Sequence, residues 1–167
     1  MEKILLELRR AEDLKKDARF TLSSQEEGIL LRKDGSLHTL LAGEDLTGSI
    51  KTDAAFLRFR KEAVYSGFAG SGNEKKRGWA EFECQLLSPR RFVLRKKQDL
   101  MDGKTPEDII TQAMRQAAAV GIEKAMEAKT KSLARRLAQK TAVQTAEHDL
   151  LDMGWQLRRW HWQALEG

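Results

Sequence analysis

The feature that most constrains the fold is a helix start at residues 105–108, followed by a long stretch without proline. Thr105 suits the N-cap, Pro106 suits the first helical position, and two acids follow at the positive end of the helix dipole. The alanine-rich segment that follows predicts helix to about Thr145, either as one helix or as two joined near Gly121. A second break is possible around 140–141. We therefore expect a long helical C-terminal third.

The N-terminal residues also follow a helical pattern. Apolar side chains recur at spacings of three and four residues, which predicts a helix over residues 2–19 with one buried stripe. Two apolar runs, 28–33 and 37–42, then flank Asp34-Gly35, and this pair is typical of a hairpin turn.

The middle of the chain reads as further strands. Residues 64–68 and 79–87 predict two strands joined by a glycine-rich, polar loop over 69–78. Pro89 is expected to end the second of them. Residues 91–95 contain β-branched and aromatic side chains, which favour another strand. Residues 55–60 are compatible with strand or helix.

Together these patterns predict an α+β fold: an N-terminal helix, an antiparallel sheet in the middle and a long helical C-terminal third. We expect two parts, an α+β domain over residues 1–104 and a helical region over 105–167 that packs on it or on a partner.

Charge is distributed unevenly along the chain. Its formal net charge is +5 and its predicted pI is about 9.4. Residues 51–104 carry 13 basic and 7 acidic groups, a balance of +6, whereas residues 1–50 have 8 and 10, a balance of −2. A local basic excess is typical of a surface that binds a polyanion, usually nucleic acid. The alternative is that the charge only keeps a small protein soluble.

Several functional classes are disfavoured by the composition. The single cysteine, Cys84, excludes an intramolecular disulfide, and no Cys/His cluster has zinc spacing. Histidine occurs only at 38, 148 and 161, and no Gly-x-Ser-x-Gly motif is present. We expect a non-enzymatic protein without metal or cofactor. The charged N-terminus and the lack of a long apolar run predict a cytoplasmic protein without a membrane span.

Three basic clusters with interleaved aromatic residues indicate nucleic-acid contact. Lysine and arginine neutralise phosphates, and exposed aromatic rings can stack on unpaired bases. The alternative for the aromatic residues is that they belong to the core. On a strand over 91–97, alternation would place Arg91, Arg95 and Lys97 on one face. The candidate nucleic-acid-binding residues are Arg58, Arg60, Lys75, Lys76, Arg77, Arg90, Arg91, Arg95, Lys96 and Lys97.

The long helix carries a second basic surface. Residues 115–140 contain seven basic and two acidic groups. Lys124, Lys131 and Arg135 share a face at helical spacing, which suits a helix that follows a phosphate backbone. An ordinary solvated helix face is the alternative.

The C-terminal segment 149–165 predicts a tryptophan-rich helix with an unusually wide apolar surface and a potential division at Gly154. Such a surface must dock on the chain's own core, on a partner protein or, less simply, on a membrane. Tryptophan and arginine dominate the energetics of many protein interfaces. The candidate partner-binding residues are Trp155, Arg158, Arg159, Trp160 and Trp162.

The function expected from these patterns is that of a non-enzymatic accessory protein that contacts the phosphate backbone of a nucleic acid of unspecified type. The alternative is an adaptor or structural subunit of a larger assembly. It would use the tryptophan-rich and alanine-rich helices as interaction surfaces, associate with itself through the C-terminal helix, or present its basic residues to an acidic protein.

Overall fold

The described part of the chain forms an α+β fold with two antiparallel sheets followed by three helices. A computed structural model describes residues 3–10, 13, 21–43 and 53–167. The strands are β1 (Leu5–Arg10), β2 (Glu26–Arg32), β3 (Leu37–Leu40), β4 (Asp53–Arg60), β5 (Val64–Gly72), β6 (Arg77–Leu86) and β7 (Trp155–Glu166). The helices are α1 (Pro89–Met101), α2 (Pro106–Ala125) and α3 (Lys131–Asp152). Sheet A has the strand order β1-β4-β2-β3, and sheet B has the order β5-β6-β7.

The predicted N-terminal helix is wrong, because Leu5–Arg10 forms strand β1. This strand pairs antiparallel with β4, where Leu8 lies opposite Leu57. The apolar spacing of the segment is compatible with helix, but pairing satisfies its backbone and buries the side chain of Ile4. Most of the remaining predicted helix, 11–12 and 14–19, lies outside the described residues.

The predicted hairpins are confirmed. β2 pairs with β3 across the Asp34-Gly35 turn, where Gly35 adopts a φ of +87° and the Asp34 carboxylate accepts a 2.9 Å hydrogen bond from the Ser36 amide. β5 pairs with β6 from Val64 to Gly72. The predicted loop over 69–78 is shorter than expected, because β5 runs through Gly72.

The strand predicted over 91–95 is wrong, because these residues lie in helix α1. The Ser88 hydroxyl accepts a hydrogen bond from the Arg91 amide at 3.1 Å, and Pro89 occupies the first turn. Ser88 and Pro89 thus start a helix in the same way as Thr105 and Pro106. This start signal outweighs the strand preference of Phe92 and Val93, both of which are buried.

The helix start at Thr105 is confirmed, but the predicted breaks are wrong. The Thr105 hydroxyl accepts a 3.2 Å hydrogen bond from the Asp108 amide. The break falls between Ala125 and Lys131, where Thr130 caps α3. Gly121 lies inside α2, and residues 140–141 lie inside α3.

The predicted tryptophan-rich helix is also wrong, because the segment forms the edge strand β7. Gly154 ends the preceding turn with a φ of +84°, and its carbonyl accepts hydrogen bonds from the amides of Leu87 and Ser88. β7 then pairs antiparallel with β6, with two register shifts. Strand pairing across the boundary expected at residue 104 therefore joins the C-terminal segment to the central strands.

Helix α1 joins the two sheets through one aromatic side chain. The Phe92 ring makes edge-to-face contacts with Phe59 of sheet A and with Trp155 of sheet B, at centroid distances of 6.1 and 5.6 Å. All three rings are essentially fully buried. Such pairs add about 0.5–1.5 kcal/mol each beyond the area that they bury. One continuous core therefore extends from sheet A to sheet B.

Helices α2 and α3 pack closely because small residues line their contact. Every fourth residue of α3 is a buried alanine along a stripe of four: Ala134, Ala138, Ala142 and Ala146. The opposing position on α2 is Gly121. A Cβ placed on Gly121 would lie 2.8 Å from the Ala138 carbonyl oxygen and 3.0 Å from the Ala142 Cβ. The absence of a side chain at Gly121 is therefore a condition for this helix spacing.

We predict that Gly121→Ala lowers the free energy of unfolding by about 1–3 kcal/mol through overpacking. The prediction opposes helix propensity, since alanine is normally favoured over glycine inside a helix by about 1 kcal/mol. Urea unfolding measures the difference. The exposed Ala119→Gly in the same helix is the control for propensity and should lose about 1 kcal/mol. A Gly121→Ala variant more stable than the original protein would contradict the close packing.

Candidate nucleic-acid interface

The structure places the ten predicted nucleic-acid-binding residues in three separate regions. Arg58 and Arg60 lie on β4 of sheet A. Residues 75–77 lie at the β5–β6 turn and the start of β6. The remaining five, Arg90, Arg91, Arg95, Lys96 and Lys97, lie on α1. The predicted residues therefore do not form one continuous basic patch.

On sheet A, the predicted arginines are engaged within the protein. Arg58 pairs with Glu7 of β1 at 3.1 Å and also with Glu26 of β2. Glu26 additionally accepts a 2.9 Å hydrogen bond from the Ser23 amide, and this bond together with Arg58 lowers the pKa of its carboxyl group. Arg60 donates through Nε to the Lys3 carbonyl at 3.4 Å. Because two carboxylates already flank Arg58, its charge serves to hold three strands together.

On α1, the helical geometry divides the predicted basic stripe. Arg91 and Arg95 lie one turn apart, and each has a guanidinium nitrogen 3.6 Å from the Asp152 carboxylate at the end of α3. Arg90 points the other way and donates to the Leu37 carbonyl of β3 at 3.0 Å. Lys96 is partly buried and Lys97 is exposed. The predicted stripe, which assumed alternation along a strand, is therefore absent from this helix. Two of the five basic residues, Arg91 and Arg95, pair with the same carboxylate.

The β5–β6 turn brings its lysines next to α3. The Asn73 carboxamide oxygen accepts hydrogen bonds from the Lys75 and Lys76 amides at 2.8 and 2.9 Å, which closes the turn. Lys76 lines a depression together with Lys131 and Arg135 from the start of α3. Arg77 lies 3.5 Å from Glu166 of β7. The turn therefore contributes Lys76 to a cluster that the sequence alone did not assemble.

This depression adjoins a second one, and together we call them the basic groove. The second, with a volume of about 620 Å³, lies between α3 and β7 and shares Arg135 with the first. The groove is lined by Lys76, Lys131, Ser132, Leu133, Ala134, Arg135, Arg136, Leu137, Gln139, Lys140, His161, Trp162, Leu165, Glu166 and Gly167. Glu166 is the one acidic side chain among these described lining residues.

The five cations of the groove, Lys76, Lys131, Arg135, Arg136 and Lys140, are not neutralised by the described part of the chain. No described carboxylate lies within 4.0 Å of any of them. Lys131 and Arg135 are one helical turn apart, as are Arg136 and Lys140. Like charges at this spacing destabilise a helix by a few tenths of a kcal/mol per pair. A bound polyanion would offset this repulsion, because its negative charges would attract each of the cations.

The basic surface of this helix was expected from the sequence, but none of its residues was among the predicted site residues. Lys131 and Arg135 were expected to share their face with Lys124. Lys124 instead belongs to α2, where it pairs with Glu127 at 2.9 Å. The strong signal was the basic pattern at 131–140 itself, which contains four basic and no acidic residues. His161 could not have been found, because it depends on β7 being a strand.

The three tryptophans predicted to bind a partner are buried in the chain's own core. Trp155 is fully buried, and Trp160 and Trp162 are 6% and 7% exposed. Arg158 and Arg159 remain exposed, and they pair with Glu83 at 3.8 Å and Glu81 at 2.8 Å. The alanine stripe of α3 is likewise buried. Both surfaces that the adaptor hypothesis required are thus occupied within this chain.

Cys84 is the side chain most able to act as a nucleophile, but its surroundings disfavour the thiolate. It is fully buried in β6, and its Sγ lies 3.6 Å from the Tyr65 carbonyl, to which it can donate. Burial raises the pKa of the thiol to about 12, and nearby Glu83 adds to the shift. The described residues also contain no group of three or more His, Cys, Asp or Glu side chains placed to hold a metal ion.

Comparison with models of known protein families finds no match, and comparison with curated proteins finds no significant similarity. Among the described residues, no helix combines the length and apolar character needed to cross a membrane.

We predict that Cys84 of the native protein resists a disulfide-exchange reagent at pH 8, because attack requires the thiolate and access to it. The measurement is the rate of thiol labelling, with complete labelling in denaturant as the control. Labelling should become fast only at denaturant concentrations that unfold the chain. Rapid stoichiometric labelling without denaturant would show that the thiol is accessible and reactive.

Proposed function

We propose that this protein is a non-enzymatic nucleic-acid-binding accessory protein that contacts the phosphate backbone through the basic groove. The interaction is electrostatic and largely independent of base sequence, since lysine and arginine contacts to phosphates carry no sequence information. Lys76, which the sequence predicted, contributes one contact. The other four cations come from α3.

The observation that supports this function is the set of five cations along one groove without carboxylate partners in the described structure. Neutralising phosphates releases counterions, so affinity falls with salt in proportion to the number of contacts. Five contacts correspond to a log–log slope of about −3.5 on a single strand and about −4.5 on B-form DNA.

The α1 residues form a different surface. Arg91 and Arg95 meet the last residue of α3, whereas the groove lies along its first ten residues. At 1.5 Å per residue, Arg136 and Asp152 are separated by about 24 Å along the helix axis. No α1 residue lines the groove, and Arg90 and Lys97 therefore belong to this separate surface.

Cytoplasmic location is part of the proposal. The one cysteine is a free thiol in the core, which suits a reducing compartment. Nucleic acid is also accessible there.

We predict that Lys76→Gln/Arg135→Gln/Arg136→Gln weakens binding to nucleic acid and flattens its salt dependence. Losing three phosphate contacts should reduce the log–log slope by about 2 on a single strand and about 3 on a duplex. Fluorescence anisotropy with labelled DNA and RNA, titrated over a range of salt, measures both quantities.

The matched control is Arg90→Gln/Lys96→Gln/Lys97→Gln, which removes the same charge from α1 and leaves both pairs with Asp152 intact. It should retain most of the slope. If both triple variants lose the same amount of slope, the effect depends on net charge and not on the groove. An unchanged slope in the groove variant would contradict the proposal.

A further inference from the structure

Sheet B has one face that none of the helices α1, α2 and α3 covers, and it carries two exposed aromatic rings. Helices α2 and α3 cover the face formed by Tyr65, Ala80 and Phe82. On the opposite face, Phe68 of β5 is 65% exposed and Trp79 of β6 is 43% exposed. Phe68 lies opposite Glu81 in the β5–β6 register, and Trp79 is two residues before Glu81. The two rings are therefore diagonal neighbours on adjacent strands, roughly 7–8 Å apart.

The neighbours of these rings along β5 are small, so both rings stay partly exposed. Ser66 and Gly70 flank Phe68 on β5, and Gly70 lies directly opposite Trp79. A Cβ on Gly70 would lie 3.6 Å from the Trp79 Cβ, so a larger side chain there would extend beside the indole. Scattered exposed apolar residues are common, but two adjacent exposed aromatic rings on one sheet face form a contiguous apolar patch. We call Phe68 and Trp79 the aromatic platform.

The acids on this face are neutralised by β7. Glu81 accepts hydrogen bonds from Arg159 at 2.8 Å and from Gln163 at 3.0 Å. Glu83 lies 3.8 Å from Arg158. The carboxylates that would repel a phosphate near the platform are therefore compensated.

The platform and the basic groove meet at the edge strand β7. His161 of β7 lines the groove and lies opposite Glu81, which in turn lies opposite Phe68. Strands in a sheet are about 4.8 Å apart, so His161 and Phe68 are separated by about 10 Å. A flexible chain in the groove can therefore cross the edge strand and reach both rings.

From this juxtaposition we propose that the ligand is single-stranded nucleic acid, with its phosphates in the basic groove and two unpaired bases on Phe68 and Trp79. This inference rests on the function proposed above. The spacing of the rings exceeds the 3.4 Å rise of stacked bases, so each ring takes a separate base. A duplex hides its base faces in its own stack, whereas single strands offer them to aromatic side chains.

The test compares an ordinary single strand with an abasic strand of equal length, using anisotropy at fixed salt. For the original protein, the ordinary strand should bind about tenfold tighter or more, since stacking on aromatic side chains strengthens binding. The variant Phe68→Ala/Trp79→Ala should bind both strands with the weaker affinity and keep its salt slope. The matched control, Leu87→Ala/Leu151→Ala, removes two exposed apolar side chains outside the platform and should behave like the original protein.

The abasic comparison uses the unmodified protein, so it stands even if the platform variant folds poorly. Equal affinity of the original protein for ordinary and abasic strands would overturn the platform, while the groove variant would still test phosphate binding. Preference for duplex over single strand would also overturn it. Self-association that is lost in the platform variant, without any effect on strand binding, would assign the rings to a second copy of the chain instead.

Discussion

The close approach of α2 and α3 is the constraint on which the rest of the structure depends. Gly121 and the buried alanines of α3 allow two backbones to approach each other, and Trp162 of β7 packs against the same place: a Cβ on Gly121 would meet its ring at 3.3 Å. The helix pair α2–α3 and the edge strand β7 therefore share one tightly packed contact. Because the alanines face inward, the basic side chains of α3 lie at the rim or in solvent, and the groove between α3 and β7 is a consequence of that orientation.

Carboxylate partners distinguish the basic residues that stabilise the fold from those whose charge is available to a ligand. Arg58, Arg91 and Arg95 each have a carboxylate within reach, so much of their field is already compensated by the fold. The exposed pairs of Arg91 and Arg95 with Asp152 contribute little stability, commonly below about 1 kcal/mol. The five groove cations have no such compensation among the described residues. A cluster of uncompensated charge produces a stronger local potential than net charge alone indicates, and it attracts polyanions from a distance.

Local signals in the sequence predicted those parts of the fold whose causes are local. The Asp34-Gly35 turn and the Thr105 cap depend on residues within four positions of each other, and both are present. Two of the failures came from long-range pairing, whereas the strand predicted over 91–95 missed the local helix start at Ser88 and Pro89. Leu5–Arg10 follows a helical spacing but gains a partner in β4, and the tryptophan-rich segment becomes a strand because β6 offers its edge. In the second case, the alternation of Trp160 and Trp162 was a strand signal that the helical interpretation overlooked.

The candidate site was only partly predictable for the same reason. Lys76 and Arg135 are 59 residues apart (135 − 76) and meet only because β5 and β6 form a hairpin whose turn reaches the start of α3. Charge counting located a basic middle third, but it could not show that Asp152 would neutralise part of it. The basic segment of α3 looked like a solvated helix face, since nothing in the sequence places β7 beside it.

The most direct test is lysine footprinting, in which acetylation rates are measured by mass spectrometry with and without saturating single-stranded nucleic acid. Binding in the basic groove predicts slower acetylation of Lys76, Lys131 and Lys140, with Lys97 on α1 unchanged. Protection of Lys97 with no change at the three groove lysines would contradict the account and move the contact to α1.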